Sequence, residues 1–139
     1  MSCGRESRLD EKILSLVRGY LEKAEEKLRV AEELLKSEHW DDAVSRAYYS
    51  AFHAAQAVLL TEGLTADTHQ GLVNLFGLHL VKTGKLEKKF GKCLANLKDE
   101  CENGDDEIYS AIDQETATPA VREAKEFLTE MKRYLRRFG

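Results

Sequence analysis

The chain has 139 residues, enough for one domain with a single core, and its 42% hydrophobic and 33% charged content is typical of a globular protein. A formal net charge of −4 argues against a protein that coats nucleic acid by charge alone, although local basic clusters could still bind phosphates. The longest uncharged segment, residues 47–61, is too short for a membrane span, and residues 1–10 lack an apolar signal-peptide core. We therefore expect a cytoplasmic protein.

Cysteine and histidine spacing gives no indication of a disulfide framework or a metal site. Cys3, Cys93 and Cys101 make an odd count without a CxxC pair, so reduced thiols are expected. A site built from His69, His79 and the last two cysteines would lack the paired ligands of structural zinc. No metal or cofactor is predicted.

The first predicted elements are a flexible tail over residues 1–8 and a long amphipathic helix at the start of a single domain, residues 9–139. From Leu9 the apolar residues recur at intervals of three and four, which predicts a helix ending near residues 36–38. Gly19 could bend it. Trp40 begins a second helix that Asp41 or Asp42 could cap.

The second helix is predicted to stop at Gly63, in a left-handed turn, and its many alanines suit a central position in a bundle. A third helix runs from the cap Thr68 to Gly84. A fourth covers residues 86–102, and the acidic residues 99–110 after it, which include an Asn-Gly pair, are expected to form an exposed loop.

The last predicted helix begins at Thr116 or Thr118, with Pro119 in its first turn. Its predicted buried residues are Val121, Ala124, Phe127, Leu128, Met131, Leu135 and Phe138. No segment alternates with period two for long enough to form a strand. These elements predict an all-α fold, an antiparallel bundle of four or five helices.

The second helix contains a line of polar residues that is costly to bury unless it is satisfied or functional. Arg46 and His53 are two helical turns apart and project from nearly the same face. Tyr49 and Ser50 lie between them, and Asp42 lies one turn earlier. Arginine offers a fork of donors for phosphate, and histidine can transfer protons near neutral pH. The pattern is therefore suited to RNA cleavage, in which a base, an acid and a cation act on one phosphate.

The sequence of residues 46–55, RAYYSAFHAA, resembles the central helix of stand-alone prokaryotic HEPN-domain proteins. Weaker resemblance continues at Gly63, residues 69–71, Phe76, residues 82–84 and residues 124–127. Many members of this family are metal-independent ribonucleases with an arginine and a histidine separated by a short spacer. The resemblance implies a helical bundle that dimerises through the motif helix, and a toxin paired with a minimal nucleotidyltransferase antitoxin.

On this interpretation Arg46 and His53 are the catalytic residues, and Tyr49, Ser50 and His69 bind substrate RNA. In a homodimer, two copies of His53 would supply the base and the acid. His69 is included because it opens the third helix, whose free N–H groups favour an anion.

Other interpretations remain open for the same residues. Arg46 could pair with Asp42, or with an acidic residue of a neighbouring helix, while His53 is a structural histidine of the bundle. His69 could be an exposed residue at a helix start. Tyr48 is expected to pack in the core. The position after the arginine is Ala47, whereas active family members have a polar residue there. The alternative function is therefore a non-catalytic subunit that binds a nucleotide or a separately encoded nucleotidyltransferase.

Two charged regions complete the predictions. The acidic residues 99–107 are expected to be solvated or to face a basic partner. The last helix carries four cations near its end, where they complement the helix dipole or could guide RNA. These cations are Lys132, Arg133, Arg136 and Arg137.

Overall fold

The computed structural model describes residues 10–106 and 112–139, so the predicted tail over residues 1–8 lies outside the described part of the chain. The helices are α1 (Glu11–Lys36), α2 (Trp40–Leu60), α3 (His69–Phe76), α4 (Lys88–Asp106) and α5 (Gln114–Leu135). A short π-helical segment, Gly77–Val81, continues α3, and a 3-10 turn, Arg136–Phe138, follows α5. No strand occurs in residues 10–106 or 112–139. The predicted all-α bundle is confirmed.

Helix α2 lies at the centre of the bundle and contacts α1, α3, α4 and α5. Its alanines have no exposed surface, and their small side chains allow the neighbouring helices to approach closely. These alanines are Ala43, Ala47, Ala51, Ala54, Ala55 and Ala57. The core continues into α5, where every apolar residue predicted to be buried is buried. Phe127 of α5 joins α3 and α4, its ring lying 5.6 Å from Phe76 and 6.3 Å from Phe90.

The start of α2 differs from the prediction. His39 is the N-cap residue and makes no side-chain capping bond, whereas Asp41 and Asp42 lie inside the first turn. Carboxylates in the first turn still interact favourably with the positive end of the helix dipole. Asp41 and Asp42 therefore stabilise a helix that begins at Trp40, although neither residue caps it. Helix α1 runs through Gly19 without interruption.

The prediction of a loop over residues 99–110 is wrong for residues 99–106, because α4 continues to Asp106. Cys101 is buried, with its Sγ 3.9 Å from the Ser45 hydroxyl of α2, and Lys98 forms an ion pair with Glu102 one turn later. Burial against α2 outweighs the local preference of an Asn-Gly pair for a turn. Residues 107–110 of the expected loop lie outside the described part of the chain.

Helix α5 begins earlier than predicted, because Asp113 rather than a threonine caps it. The Asp113 carboxylate accepts a hydrogen bond of 3.1 Å from the Thr116 N–H. Pro119 consequently lies in the second turn and not the first, where it leaves one intrahelical bond unmade. Among the described residues, no helix is both long enough and apolar enough to cross a bilayer.

Candidate functional site

The outward side of α2 carries Arg46, Tyr49, His53 and Gln56, which we call the motif face. Arg46 is exposed, and no ion pair or hydrogen bond joins it to another residue of the described ranges. The alternative in which Asp42 pairs with Arg46 is therefore not found in this structure. A guanidinium on an exposed surface, without a competing carboxylate, is available to a phosphate.

His53 is half-buried and held on two sides. Its ring stacks on Tyr20 of α1, with centroids 6.2 Å apart and planes 19° from parallel. Its Nδ1 lies 3.0 Å from the Gln56 Oε1. With the amide oxygen facing the ring, Nδ1–H donates this bond, and Nε2 keeps a free lone pair that can accept a proton.

Burial lowers the pKa of His53 below its ordinary value of 6.5, and the nearby Lys23 and Lys27 ammonium groups lower it further. The hydrogen bond with Gln56 opposes this shift but is the smaller effect. His53 is therefore mainly the neutral imidazole at pH 7, the form required of a general base.

His69, the first residue of α3, lies against α2 rather than in solvent. Its Nδ1 is 2.6 Å from the Tyr48 hydroxyl, and its ring lies 4.8 Å from Phe52. The preceding Thr68 fixes this position, because its hydroxyl accepts a 2.8 Å bond from the Gly71 N–H. A Cβ at residue 71 would lie 2.8 Å from the same hydroxyl oxygen, so glycine is required for this close cap.

Tyr48 is buried as predicted, but its hydroxyl has a role that the sequence did not indicate. Burial raises the pKa of Tyr48, so the hydroxyl stays protonated and can donate to the His69 Nδ1. The imidazole then carries its own proton on Nε2, pointing away from Tyr48. No local pattern could have indicated this pair, because the two residues are 21 positions apart on different helices.

The two histidines share aromatic neighbours. The His53 ring lies 5.5 Å from Phe52 and 6.4 Å from Tyr49, and the His69 ring lies 4.8 and 5.9 Å from the same two rings. A single chain thus places a proton acceptor and an N–H donor around one aromatic pair. Of the predicted site residues, the structure brings Tyr49, His53 and His69 into one cluster, with Arg46 two turns along α2 from His53.

Ser50 does not share the motif face. It has no exposed surface, and its hydroxyl donates a 2.8 Å hydrogen bond to the Ala24 carbonyl of α1. Each residue turns the helix by about 100°, so Ser50 lies about 40° around the axis from Arg46, toward α1. This rotation is enough to move Ser50 from the open surface into the α1–α2 contact, where its hydroxyl does not reach a substrate on the motif face.

Sequence reasoning also missed the contribution of α1, which supplies Tyr20, Lys23 and Lys27 beside His53. Their spacing of three and four residues was visible, but a polar stripe on an outer helix is ordinarily a solvated surface. Among the described residues, no group of three or more His, Cys, Asp or Glu side chains is arranged to hold a metal ion.

Similarity to known proteins extends over most of the chain. The family model described as "HEPN domain" matches residues 17–134. The chain is 33% identical over 131 residues to the "Putative toxin MJ0605" of Methanocaldococcus jannaschii, covering 92% of this chain and 95% of that protein. It is 33% identical over 113 residues to a "UPF0332 protein" of Thermotoga maritima, covering 81% and 86% of the two chains.

The fold is similar to that in the crystal structure of TT1696 from Thermus thermophilus. The TM-score is 0.71 at 19% identity, with 85% of this chain and 97% of that chain covered. At this identity the likeness supports the fold alone. The family model spans most of the chain, and the central RAYYSAFHAA segment lies within it, so this protein belongs to the HEPN-domain family.

Proposed function

We propose that this protein is a metal-independent endoribonuclease, the toxin of a cytoplasmic toxin–antitoxin pair whose antitoxin is a minimal nucleotidyltransferase. The observation that carries the proposal is the motif face, an exposed side of α2 on which a neutral, oriented His53 lies with Arg46, which has no ion-pair partner among the described residues. The relative with the name "Putative toxin MJ0605", which matches over 95% of its own length, supports the biological context.

In the proposed reaction, the His53 Nε2 takes the proton of a ribose 2′-hydroxyl, and the 2′-oxygen forms a bond to the adjacent phosphorus. The bond from phosphorus to the 5′-oxygen breaks, and this oxygen leaves as a hydroxyl after accepting a proton. The products are a 2′,3′-cyclic phosphate and a free 5′-hydroxyl. Arg46 stabilises the charge that develops on the phosphorane, and the His69 Nε2–H donates to a phosphate oxygen.

A homodimer formed through α2 completes the proposed site. The neutral His53 of one protomer is the base, and the acid is the partner subunit's His53 in its imidazolium form, which the lowered pKa makes the minority form at pH 7. Tyr49 lies beside His53 on the same face, where its ring can stack on a base of the substrate.

The test is cleavage of a mixed RNA by the purified protein in excess chelator, followed over time. We expect the wild type to cleave and His53→Ala to lose about 100-fold or more of the rate, the usual contribution of a general base. His39→Ala is the matched control, because it removes an exposed histidine at the start of the same helix that makes no capping bond. Equal rates for wild type and His53→Ala would exclude this mechanism.

The alternative is a non-catalytic subunit that binds a nucleotide or a nucleotidyltransferase through the same face. Ala47 favours it, because this position is fully buried and cannot add a polar group beside Arg46 as active family members do. Absence of cleavage by a folded, dimeric wild type, together with nucleotide binding that Arg46→Ala abolishes, would support this alternative.

A further inference from the structure

A stripe of α1 runs alongside the motif face. Tyr20, Lys23 and Lys27 are spaced by three and four residues, so they lie in one row on α1. Two contacts fix the register of this row against α2: Tyr20 stacks on His53, and the Ala24 carbonyl accepts from Ser50. Because the two helices run antiparallel, the row extends from His53 in the direction of Arg46. We call Lys23 and Lys27 the α1 lysine pair.

Most carboxylates of α1 and α2 lie away from this row. The sequence of α2 contains no acidic residue after Asp42, and the next carboxylate in the chain is Glu62. On α1, Glu25 pairs with Lys132 and Glu32 lies 3.8 Å from Lys125 of α5. Glu22 and Glu26 lie about 80–120° around the α1 axis from the α1 lysine pair.

Neither lysine of the pair forms an ion pair or a hydrogen bond with another residue in the described ranges. Lys23 is exposed and Lys27 half-buried, so their stems pack on the helices while their ammonium groups can reach a ligand. Together with Arg46 they place three cations along one side of His53. A single phosphate needs fewer, so this arrangement fits a ligand with several phosphates.

We infer that the α1 lysine pair binds the backbone phosphates of single-stranded RNA next to the phosphate held at the motif face. The two lysines are about 6 Å apart along α1. Phosphates of one strand repeat roughly every 3.4 Å along a duplex axis, so the lysines can contact different phosphates. The row therefore fits several successive phosphates, as the backbone of an oligonucleotide presents them. This inference rests on the proposed function, since it specifies the substrate of the same site.

The experiment measures binding of an uncleavable substrate, a single strand of about 12 nucleotides, within the site sizes of single-strand binders. Every 2′-hydroxyl is methylated, which removes the nucleophile. Affinity is followed by fluorescence anisotropy over a range of salt concentrations, using the full chain. The variant is Lys23→Gln/Lys27→Gln. Its matched control is Arg18→Gln/Arg29→Gln, which removes the same charge from exposed positions on the opposite side of α1.

Each phosphate contact on a single strand contributes about 0.7 to the salt slope, the decrease of log affinity per unit of log salt concentration. We expect the lysine variant to lose about 1.4 of this slope and the arginine variant to keep it. Equal slopes for the two variants would overturn the inference, as would a wild type that does not bind RNA but binds an acidic peptide instead.

The outcomes separate this inference from the proposed function. Lysine-dependent binding without cleavage of unmodified RNA would retain the RNA site and remove the ribonuclease. Cleavage that depends on His53 but has the same rate in the lysine and arginine variants would retain the ribonuclease and overturn the α1 site. Thermal melts of both variants confirm that each is folded before binding is compared.

Discussion

Two basic regions of this molecule look alike in sequence and differ in structure. The end of α5 carries four cations, of which Lys132 pairs with Glu25, Arg133 with Glu130, and Arg137 lies 4.6 Å from the centre of the Tyr134 ring. The face formed by α1 and α2 carries Arg46 and the α1 lysine pair, for which the described residues provide no such partner. The cluster at the end of α5 is denser in cations, but fewer of its cations are available to bind a phosphate.

The difference shows that a phosphate site is indicated by cations that carboxylates leave available, and not by the density of cations in the sequence. At the end of α5, carboxylates of the protein already pair with Lys132 and Arg133, two of the four cations. The predicted alternative in which the α5 cations guide RNA consequently has less support than the dipole interpretation.

Arg46→Ala should lower the cleavage rate by about 100-fold, the usual cost of removing one preorganised donor to a developing charge. Its melting temperature should change little, because the side chain is exposed and makes no bond with another described residue. Cleavage assays and thermal melts of the same samples measure both quantities. A variant that melts early but retains its rate would make Arg46 a structural residue.

Tyr48→Phe should lower the free energy of unfolding by about 1 kcal/mol, because the buried hydrogen bond to His69 is lost. The cleavage rate should fall by about fivefold if the same energy is lost in the transition state. The readout specific to positioning is the ¹⁵N NMR spectrum of His69. We expect the wild type to show the proton on Nε2, and the variant to show a mixture of both neutral forms.

The pH dependence of cleavage should reflect the lowered pKa of His53, with the acid limb of the rate profile having its midpoint below 6.5. Lys23→Gln/Lys27→Gln removes two charges that lower this pKa, so the midpoint should move upward. The lowered pKa of His53 also makes the stability of the fold depend on pH. Between the folded pKa and 6.5 the unfolded chain binds more protons, so the free energy of unfolding falls as pH drops through this window. An acid limb above 6.5 in the wild type would contradict the assignment of His53 as the base.

Lys132→Ala should have the smallest effect. Its ion pair with Glu25 lies on the surface, with both side chains more than 40% exposed, so the loss of stability should be at most about 1 kcal/mol. The cleavage rate and the affinity for RNA should match the wild type. Denaturant titration measures the loss of stability. A marked loss of RNA binding would show that the α5 cations contribute to the RNA site.

The fold was largely predictable because helix formation here depends on local patterns. The three-and-four spacing of apolar residues predicted α1 and the buried side of α5, and Thr68 capped α3 as expected. Boundaries failed where a distant contact, or a second local cap, competed with the signal used for the prediction. Cys101, packed against α2, carries α4 through the expected loop, and Asp113 starts α5 before the predicted threonines.

The candidate site was predictable only in part, and the reason is geometric. Spacing along one helix placed Arg46, Tyr49 and His53 together, since residues seven apart return to nearly the same side. The same spacing could not show that Ser50, which lies only about 40° around the helix axis from Arg46, is buried with its hydroxyl bonded to the Ala24 carbonyl. Nor could it show which residues of α1 and α3 would lie beside the motif.

The helical class and the residues that share one side of α2 follow from local periodicity in the chain, and the family motif follows from the resemblance of residues 46–55. Helix packing was needed to find that Tyr48 orients His69, that Tyr20 stacks on His53, and that the α1 lysine pair lies beside them. These relations depend on the register and rotation of one helix against another. Packing of side chains far apart in the chain sets both, and no local pattern encodes them.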